Sequence, residues 1–134
     1  MQTILGAGGS IGTELAKELL TYTKDIRLVG RNPHKVNKTD QLFSADLSNA
    51  AQVDKAVAGS EVCYVTVGFE YKLSVWEKNW LPFITNVIDA CEKHNCRLVF
   101  FDNIYALHDT ALNPVLEDAA LNPVSKKGQV RAAV

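Results

Sequence analysis

The chain lacks most of what marks a specialised environment. Its three cysteines, Cys63, Cys91 and Cys96, are an odd number without framework spacing. That excludes a disulfide scaffold and fits a reducing cytoplasm. Charge of either sign is not in excess: fourteen Lys and Arg stand against fifteen Asp and Glu, a formal net charge of −1. Nothing therefore draws the chain to nucleic acid or to an anionic membrane surface. No apolar run approaches the roughly 20 residues that a membrane span needs. A strand beginning at Gln2 leaves no space for a signal peptide, so no targeting leader is expected. Internal repeats, low-complexity tracts and linkers are missing too. What remains, 134 residues at 47% hydrophobic and 22% charged, is the balance of one globular domain with a real core.

The informative stretch is Met1-Gln-Thr-Ile-Leu-Gly-Ala-Gly-Gly-Ser-Ile-Gly12. Gln2 to Leu5 is an apolar run fit for a strand. Gly6, Gly9 and Gly12 follow at three-residue spacing, and Ile11, Leu15, Leu19 and Leu20 begin a helical stripe. A strand that breaks on glycines and restarts as a helix exposes backbone N–H groups at the positive end of a helix dipole, which is a cradle for phosphate. Gly6 would allow the tight turn, Gly9 the close approach of a pyrophosphate, and Gly12 the packing of helix on strand. Ser10 and Ile11 sit at the helix start, where they would contribute donors to the phosphates.

Further on, Ile26 to Gly30 reads as a second strand and Leu42 to Ala45 as a third. Ser48 is placed to cap a helix from Asn49 to Ala58, closed by Gly59. Glu61 to Val67 is a near-continuous apolar strand, as a sheet covered on both faces requires. A long helix from about Val75 to His94 carries Trp80, Ile84, Val87, Ile88 and Cys91 on one face. Pro82 inside it predicts a kink or a late start. Asn95 would end this helix before a fifth strand, Arg97 to Phe101. Ala106 to Pro123 reads as a loop or broken helix, and Ser125 to Val134 as a helix weakened by Gly128. Strands alternating with helices predict an α/β fold, a Rossmann-like doubly wound parallel sheet of about five strands in the order 3-2-1-4-5. Ligands bind such sheets beyond the carboxyl ends of the strands, where Gly6 to Gly12, Arg31, Asp46, Val67-Gly68 and Asp102-Asn103 should gather.

These landmarks resemble the extended or atypical short-chain dehydrogenase/reductases, the group that includes NAD-dependent epimerase/dehydratases and NmrA-like proteins. Gly6-Ala-Gly-Gly9-Ser-Ile-Gly12 is similar to their GxxGxxG turn. The resemblance implies that Asp46-Leu47 contacts adenine and that Thr66-Val67-Gly68 lies beside the cofactor ribose. It also implies that Arg97 to Asn103 leads towards the nicotinamide, and that Asn122 to Gly128 approaches the catalytic helix. An NAD-preferring site carries Asp or Glu at the end of strand two, where this chain has Gly30-Arg31. An arginine fork suits a 2′-phosphate, which favours NADP, with NAD as the alternative. The family dimerises through helices that correspond here to residues 75–94 and the C-terminal helix; an exposed Trp76 or Trp80 would support such a homodimer.

The chain departs from the family at the catalytic positions. The family's tyrosine and lysine, one helical turn apart, would fall on Lys127 and Arg131, and Asp102-Asn103 stands where serine is expected. Asn103, Tyr105 and Lys127 are the remaining candidates for proton transfer, though Tyr105 has no lysine four residues on and lysine substitutes poorly for a phenol. The usual Ser/Tyr/Lys set is thus not retained. The chain also stops inside the catalytic helix, so residues 1–134 are expected to form a single NAD(P)-binding domain that lacks a substrate region. The expected function is that of an oxidoreductase or nucleotide-sugar epimerase/dehydratase. The alternative is a non-catalytic, NmrA-like dinucleotide sensor.

Other clusters carry less. Cys91, His94 and Cys96 crowd a helix end without a fourth metal ligand, which reads as core cysteine and helix-end histidine. His34 and His108 lie in loops without partners at diagnostic spacing, and Glu117-Asp118 reads as a solvated turn.

Overall fold

Gln2–Leu5 forms β1, the middle strand of a five-stranded sheet in which every pairing is parallel. The computed structural model describes residues 1–107 and 114–134. β1 pairs with β2 (Ile26–Gly30) on one side and with β4 (Val62–Val65) on the other. β3 (Gln41–Ser44) flanks β2, and β5 (Arg97–Phe100) flanks β4, giving the order β3-β2-β1-β4-β5 that the strand–helix alternation predicts. Gln2 lies opposite Ile26 and Val62, and Leu5 opposite Val29 and Val65, so the carboxyl ends of the three central strands are level.

Among the described residues, α1 (Ser10–Leu19), α2 (Ala50–Val57) and α3 (Leu73–Lys93) lie between strands, and α4 (Lys126–Ala132) follows β5. A short 3-10 turn spans Ile104–Ala106. The described residues divide into two compact units. The first comprises Met1–Gly68 with Thr85–Phe101 and holds the whole sheet; the second comprises Phe69–Ile84 with Asp102–Val134.

The core of the first unit follows the strand pattern. Ile4, Leu5, Ile26, Leu28, Val29 and Val65 are fully buried, as central parallel strands require. Each such side chain contributes about 1.5–3 kcal/mol. One cluster joins Ile4, Ile26 and Leu28 to Ala7, Ala16 and Leu19 of the first turn and helix. β3 and β5 are the outer strands and are largely exposed.

Several sequence expectations are corrected here. Helix α1 buries Gly12, Ala16 and Leu19, while Ile11 and Leu20 are exposed. Close approach at Gly12 requires a small residue where α1 meets the turn, and Leu19 fills the core at the other end of the helix. Asn49, not Ser48, caps α2: its side chain accepts from the Gln52 N–H at 3.1 Å. Ser48 instead donates to Asp46. On α3, Ile88 is exposed, whereas Trp80, Ile84, Val87 and Cys91 are buried as expected. Helix α3 starts at Leu73, so Pro82 does not delay it. Lys78, whose carbonyl loses its N–H partner to Pro82, is exposed to water, which lessens the cost. Gly128 does not simply weaken α4, because a Cβ there would meet the Tyr105 carbonyl oxygen and the Pro123 side chain.

Two helix ends match their expected stops. Gly59 takes φ +76° after α2. Asn95 takes φ +50° after α3, with Cys96 N–H donating to the Cys91 carbonyl at 2.8 Å and Asn95 N–H to that of Glu92 at 3.2 Å. This is the paired Schellman closure of a helix end. His108 lies outside the described residues, as does the middle of the loop expected over Ala106 to Pro123; Ala106 ends the 3-10 turn, and residues 114–123 hold no helix or strand.

Candidate dinucleotide-binding site

The glycine turn is built by β1 and held by its neighbours. Gly6 N–H and Ala7 N–H both donate to the Val29 carbonyl, at 3.1 and 3.2 Å. Gly6 has φ +91°, and a Cβ on it would lie 2.8 Å from the backbone nitrogen of Val67. A Cβ on Gly12 would lie 2.8 Å from the Gly6 carbonyl oxygen and 2.9 Å from both Ala7 Cα and Thr66 Oγ1. These two glycines are therefore demanded by the protein itself. Gly9 differs: its nearest contact would be the Gly6 carbonyl oxygen at 3.6 Å, an ordinary packing distance. Gly8 has nothing within reach, and both face solvent.

Gly9 is also the N-cap of α1, and no side chain caps it. The first intrahelical bond runs from Thr13 N–H to the Gly9 carbonyl. Among the described residues the N–H groups of Ser10, Ile11 and Gly12 have no backbone or side-chain acceptor. A helix start with open donors, and glycine in front of it, fits the phosphates of a dinucleotide. Thr13, which the sequence reading overlooked, steadies the turn by donating to the Gly9 carbonyl at 2.9 Å. Thr66, just past the end of β4, does the same by donating to the Leu5 carbonyl at 3.1 Å. A hydroxyl one turn after the last loop glycine is the signal that could have found Thr13. Val67 and Gly68 follow directly, with Val67 against Gly6 and Gly68 exposed.

Arg31 and Asp46 leave the carboxyl ends of β2 and β3 side by side. Ser44 Oγ donates to the Arg31 carbonyl at 2.8 Å, which fixes the backbone and leaves the guanidinium exposed. The Asp46 carboxyl is held below the usual carboxylate range, first by the Ser48 N–H and then by the Ser48 hydroxyl, with the charge of Arg31 adding to them. Both Ser48 bonds fall on Oδ1, at 3.0 and 2.8 Å, so Oδ2 keeps its acceptor capacity. Leu47 beside it is half-buried. The basic loop beyond Arg31 is pinned by Asp40, a buried carboxylate that accepts from Val36 N–H and Asn37 N–H at 3.0 and 2.6 Å.

The second unit holds Asp102, Asn103, Tyr105, Lys127 and Arg131, the residues that the sequence resemblance sets at or near the catalytic positions. Lys127 Nζ lies 3.1 Å from the centre of the Tyr71 ring and donates to the Tyr71 carbonyl at 3.3 Å. Arg131 stacks over Trp80 at 4.1 Å and pairs with Asp102. Tyr105 packs on Tyr71 and Trp76. A hydrogen bond with the Tyr71 hydroxyl, foremost among the causes, lifts its phenol above the ordinary range. The Asn103 side chain accepts from Tyr105 N–H at 3.0 Å and caps the 3-10 turn. Both tryptophans are buried in this aromatic cluster, so they lend no support to a partner surface on α3.

Together, the parallel sheet with reversed order at β1 and the uncapped glycine turn define a dinucleotide-binding α/β domain. The chain matches the family model described as NAD(P)H-binding over residues 6–130, and it belongs to that family. No match to it is found among curated protein sequences. Solved structures share the fold. Uronate dehydrogenase from Agrobacterium tumefaciens superimposes with a TM-score of 0.83 at 19% identity, covering 98% of this chain and 52% of its own; a mutant of it complexed with NAD gives the same figures. A UDP-galactose 4-epimerase gives 0.79 at 22% identity, covering 99% of this chain and 48% of its own. A Rossmann-fold NAD(P)-binding family protein from Shigella flexneri gives 0.58 at 25% identity, over 74% of this chain and 49% of its own. The chain thus spans about half the length of these structures. The sequence resemblance to the extended short-chain dehydrogenase/reductases stands with them. Among the described residues no helix is long and apolar enough to cross a membrane, and no group of side chains is arranged to hold a metal ion.

Proposed function

We propose that residues 1–134 act as the NADP-preferring cofactor-binding domain of a cytoplasmic oxidoreductase or epimerase of the short-chain dehydrogenase/reductase kind. The observation that carries this reading is the open set of N–H donors at Ser10, Ile11 and Gly12 behind Gly9. In it Gly6, Gly9, Ser10, Ile11 and Gly12 form the pyrophosphate cradle, Asp46 accepts from the adenine amino group, and Leu47 lies against the base. Val67 and Gly68 border the ribose of the nicotinamide half. The exposed Arg31 takes the 2′-phosphate, and no carboxylate stands at the end of β2 to prefer a free ribose hydroxyl. The cofactor would supply the hydride chemistry; the chain's own part is to bind and orient it. Titration calorimetry with NADP and NAD tests this, with Arg31→Ala expected to weaken NADP far more than NAD. Equal loss for both would refute the assigned preference.

A second reading, a non-catalytic dinucleotide sensor resembling NmrA-like proteins, is favoured by the second unit. Lys127 and Arg131 are occupied by Tyr71, Trp80 and Asp102, and the Tyr105 phenol is displaced away from ready ionisation. Neither Asn103, a turn cap, nor Lys127 is then poised for proton transfer. Cofactor oxidation against a panel of sugars and carbonyl compounds separates the two: binding with turnover supports the enzyme, binding without it the sensor. A homodimer through residues 75–94 and the last helix belongs to either reading and is tested by sedimentation.

A further inference from the structure

The three cysteines meet at the sheet edge opposite the glycine turn. Cys63 lies on β4, Cys91 on the last turn of α3, and Cys96 just before β5, all reduced and buried. The Cys96 thiol donates to the Arg97 carbonyl at 3.8 Å. Two of the three also line a cavity of about 750 Å³ together with Glu61, Glu92 and Arg97; Cys63 is not among its lining residues. The helix closure brings this pair together. With Cys96 N–H bonded to the Cys91 carbonyl at 2.8 Å, standard bond lengths bound the two Cα atoms to about 6.7 Å. A disulfide uses roughly 4.4–6.8 Å between Cα atoms.

We propose that Cys91 and Cys96 form a reactive dithiol that hydroperoxides convert to a disulfide at the end of α3. The Cys91 thiolate attacks one oxygen of hydrogen peroxide, the O–O bond breaks, and hydroxide leaves, giving a sulfenic acid. The Cys96 sulfur then attacks that sulfur; the S–S bond forms, the S–O bond breaks, and water departs. Two thiols lose two protons and two electrons, and peroxide is reduced to two waters. Cys91 is the attacking group because the Cys96 proton is held on the Arg97 carbonyl and burial pushes that thiol up to about 12, whereas the neighbouring Cys63 holds the Cys91 thiol below the ordinary range. Cys63, wholly buried and raised by its bond to Cys91, stays a thiol.

The test uses the full chain, reduced, desalted and treated natively with stoichiometric hydrogen peroxide, then alkylated with iodoacetamide and digested with trypsin. Lys93 lies between the two cysteines, so cleavage leaves peptides joined only by the disulfide. Expected are a loss of two hydrogens in the intact mass, a Cys91–Cys96 linked peptide and one alkylated thiol at Cys63. Alkylation of all three thiols, a link through Cys63, or a gain of oxygen mass in place of the link would overturn the proposal. In Cys96→Ser, dimedone should trap a sulfenic acid on Cys91, and its failure to do so would count equally against it. Gly9→Ala should form the link as readily as the parent, because the cofactor turn lies at the other end of the strands. Failure of cofactor binding and failure of this chemistry are thus read separately.

Discussion

Gly9 and Gly12 occupy one turn, yet their substitution should break different things. In Gly12→Ala the new methyl meets the Gly6 carbonyl oxygen at 2.8 Å and Ala7 Cα at 2.9 Å, both backbone atoms that β1 and β2 hold in place. Overpacking of this kind costs about 1–3 kcal/mol. For a domain of this size that moves a urea midpoint down by about 1 M. In Gly9→Ala the nearest contact is 3.6 Å, its φ of −83° suits any residue, and the stability change should stay within about 0.5 kcal/mol. Its methyl nevertheless stands before the open donors of Ser10, Ile11 and Gly12, where the phosphates belong. Losing one or two charge-assisted hydrogen bonds, at about 1.5–3 kcal/mol each, lowers affinity by roughly ten- to a hundredfold or more. Urea unfolding followed by tryptophan fluorescence, paired with calorimetric titration of NADPH, measures both. If Gly9→Ala unfolds as early as Gly12→Ala while binding as tightly as the parent, the assignment of one glycine to the fold and the other to the ligand is wrong.

Other perturbations test separate parts of the structure. Asn49→Ala removes the cap of α2 and should cost about 1 kcal/mol, read as a lower urea midpoint, whereas Ser48→Ala should leave the helix intact. Asp54 bonds to Lys93 and His94 at 2.9 Å, and its carboxyl is lowered from 3.8, first by Lys93. Its folded-state value lies below the unfolded one, so its contribution is present above pH 3.8 and lost as pH falls through and below it. Asp54→Asn should therefore be less stable than the parent at pH 7, and the gap should narrow in unfolding curves below pH 4. Arg131→Ala removes a buried cation from Trp80 and leaves the accessible Asp102 to water, so it should destabilise by about 2 kcal/mol, with a shift in tryptophan emission; an unchanged spectrum would argue against the stacking.

The sheet was readable because its signals are local. Apolar strands ended by glycine, and turns such as Gly59 and Asn95 at their helix ends, each announce themselves within a few residues. Helix faces were less legible. Periodicity marks Ile11 as apolar, but which face turns inward depends on Thr66, more than fifty positions away, allowing α1 close at Gly12. The same limit hid the cap of α2, since Ser48 and Asn49 are both good caps and only the Asp46 turn decides between them. The cofactor residues were named largely from the glycine spacing and the family likeness, and Thr13 was missed because a threonine in a helix is unremarkable alone. Least legible was the second unit. Lys127 over Tyr71 and Arg131 over Trp80 join residues about fifty apart, and no period or spacing announces a cation resting on a ring.

The stops that shape the glycine turn come more than fifty residues after it. Gly6 is bounded by Val67 and Gly12 by Thr66, and β1 gains its second neighbour only when Val62–Val65 is available. During synthesis residues 1–12 must therefore wait for residues 62–67 before their geometry is fixed. Pairings between such distant segments form slowly. A nascent chain paused before residue 60 would carry the whole nucleotide motif in its sequence and have no grip on a nucleotide.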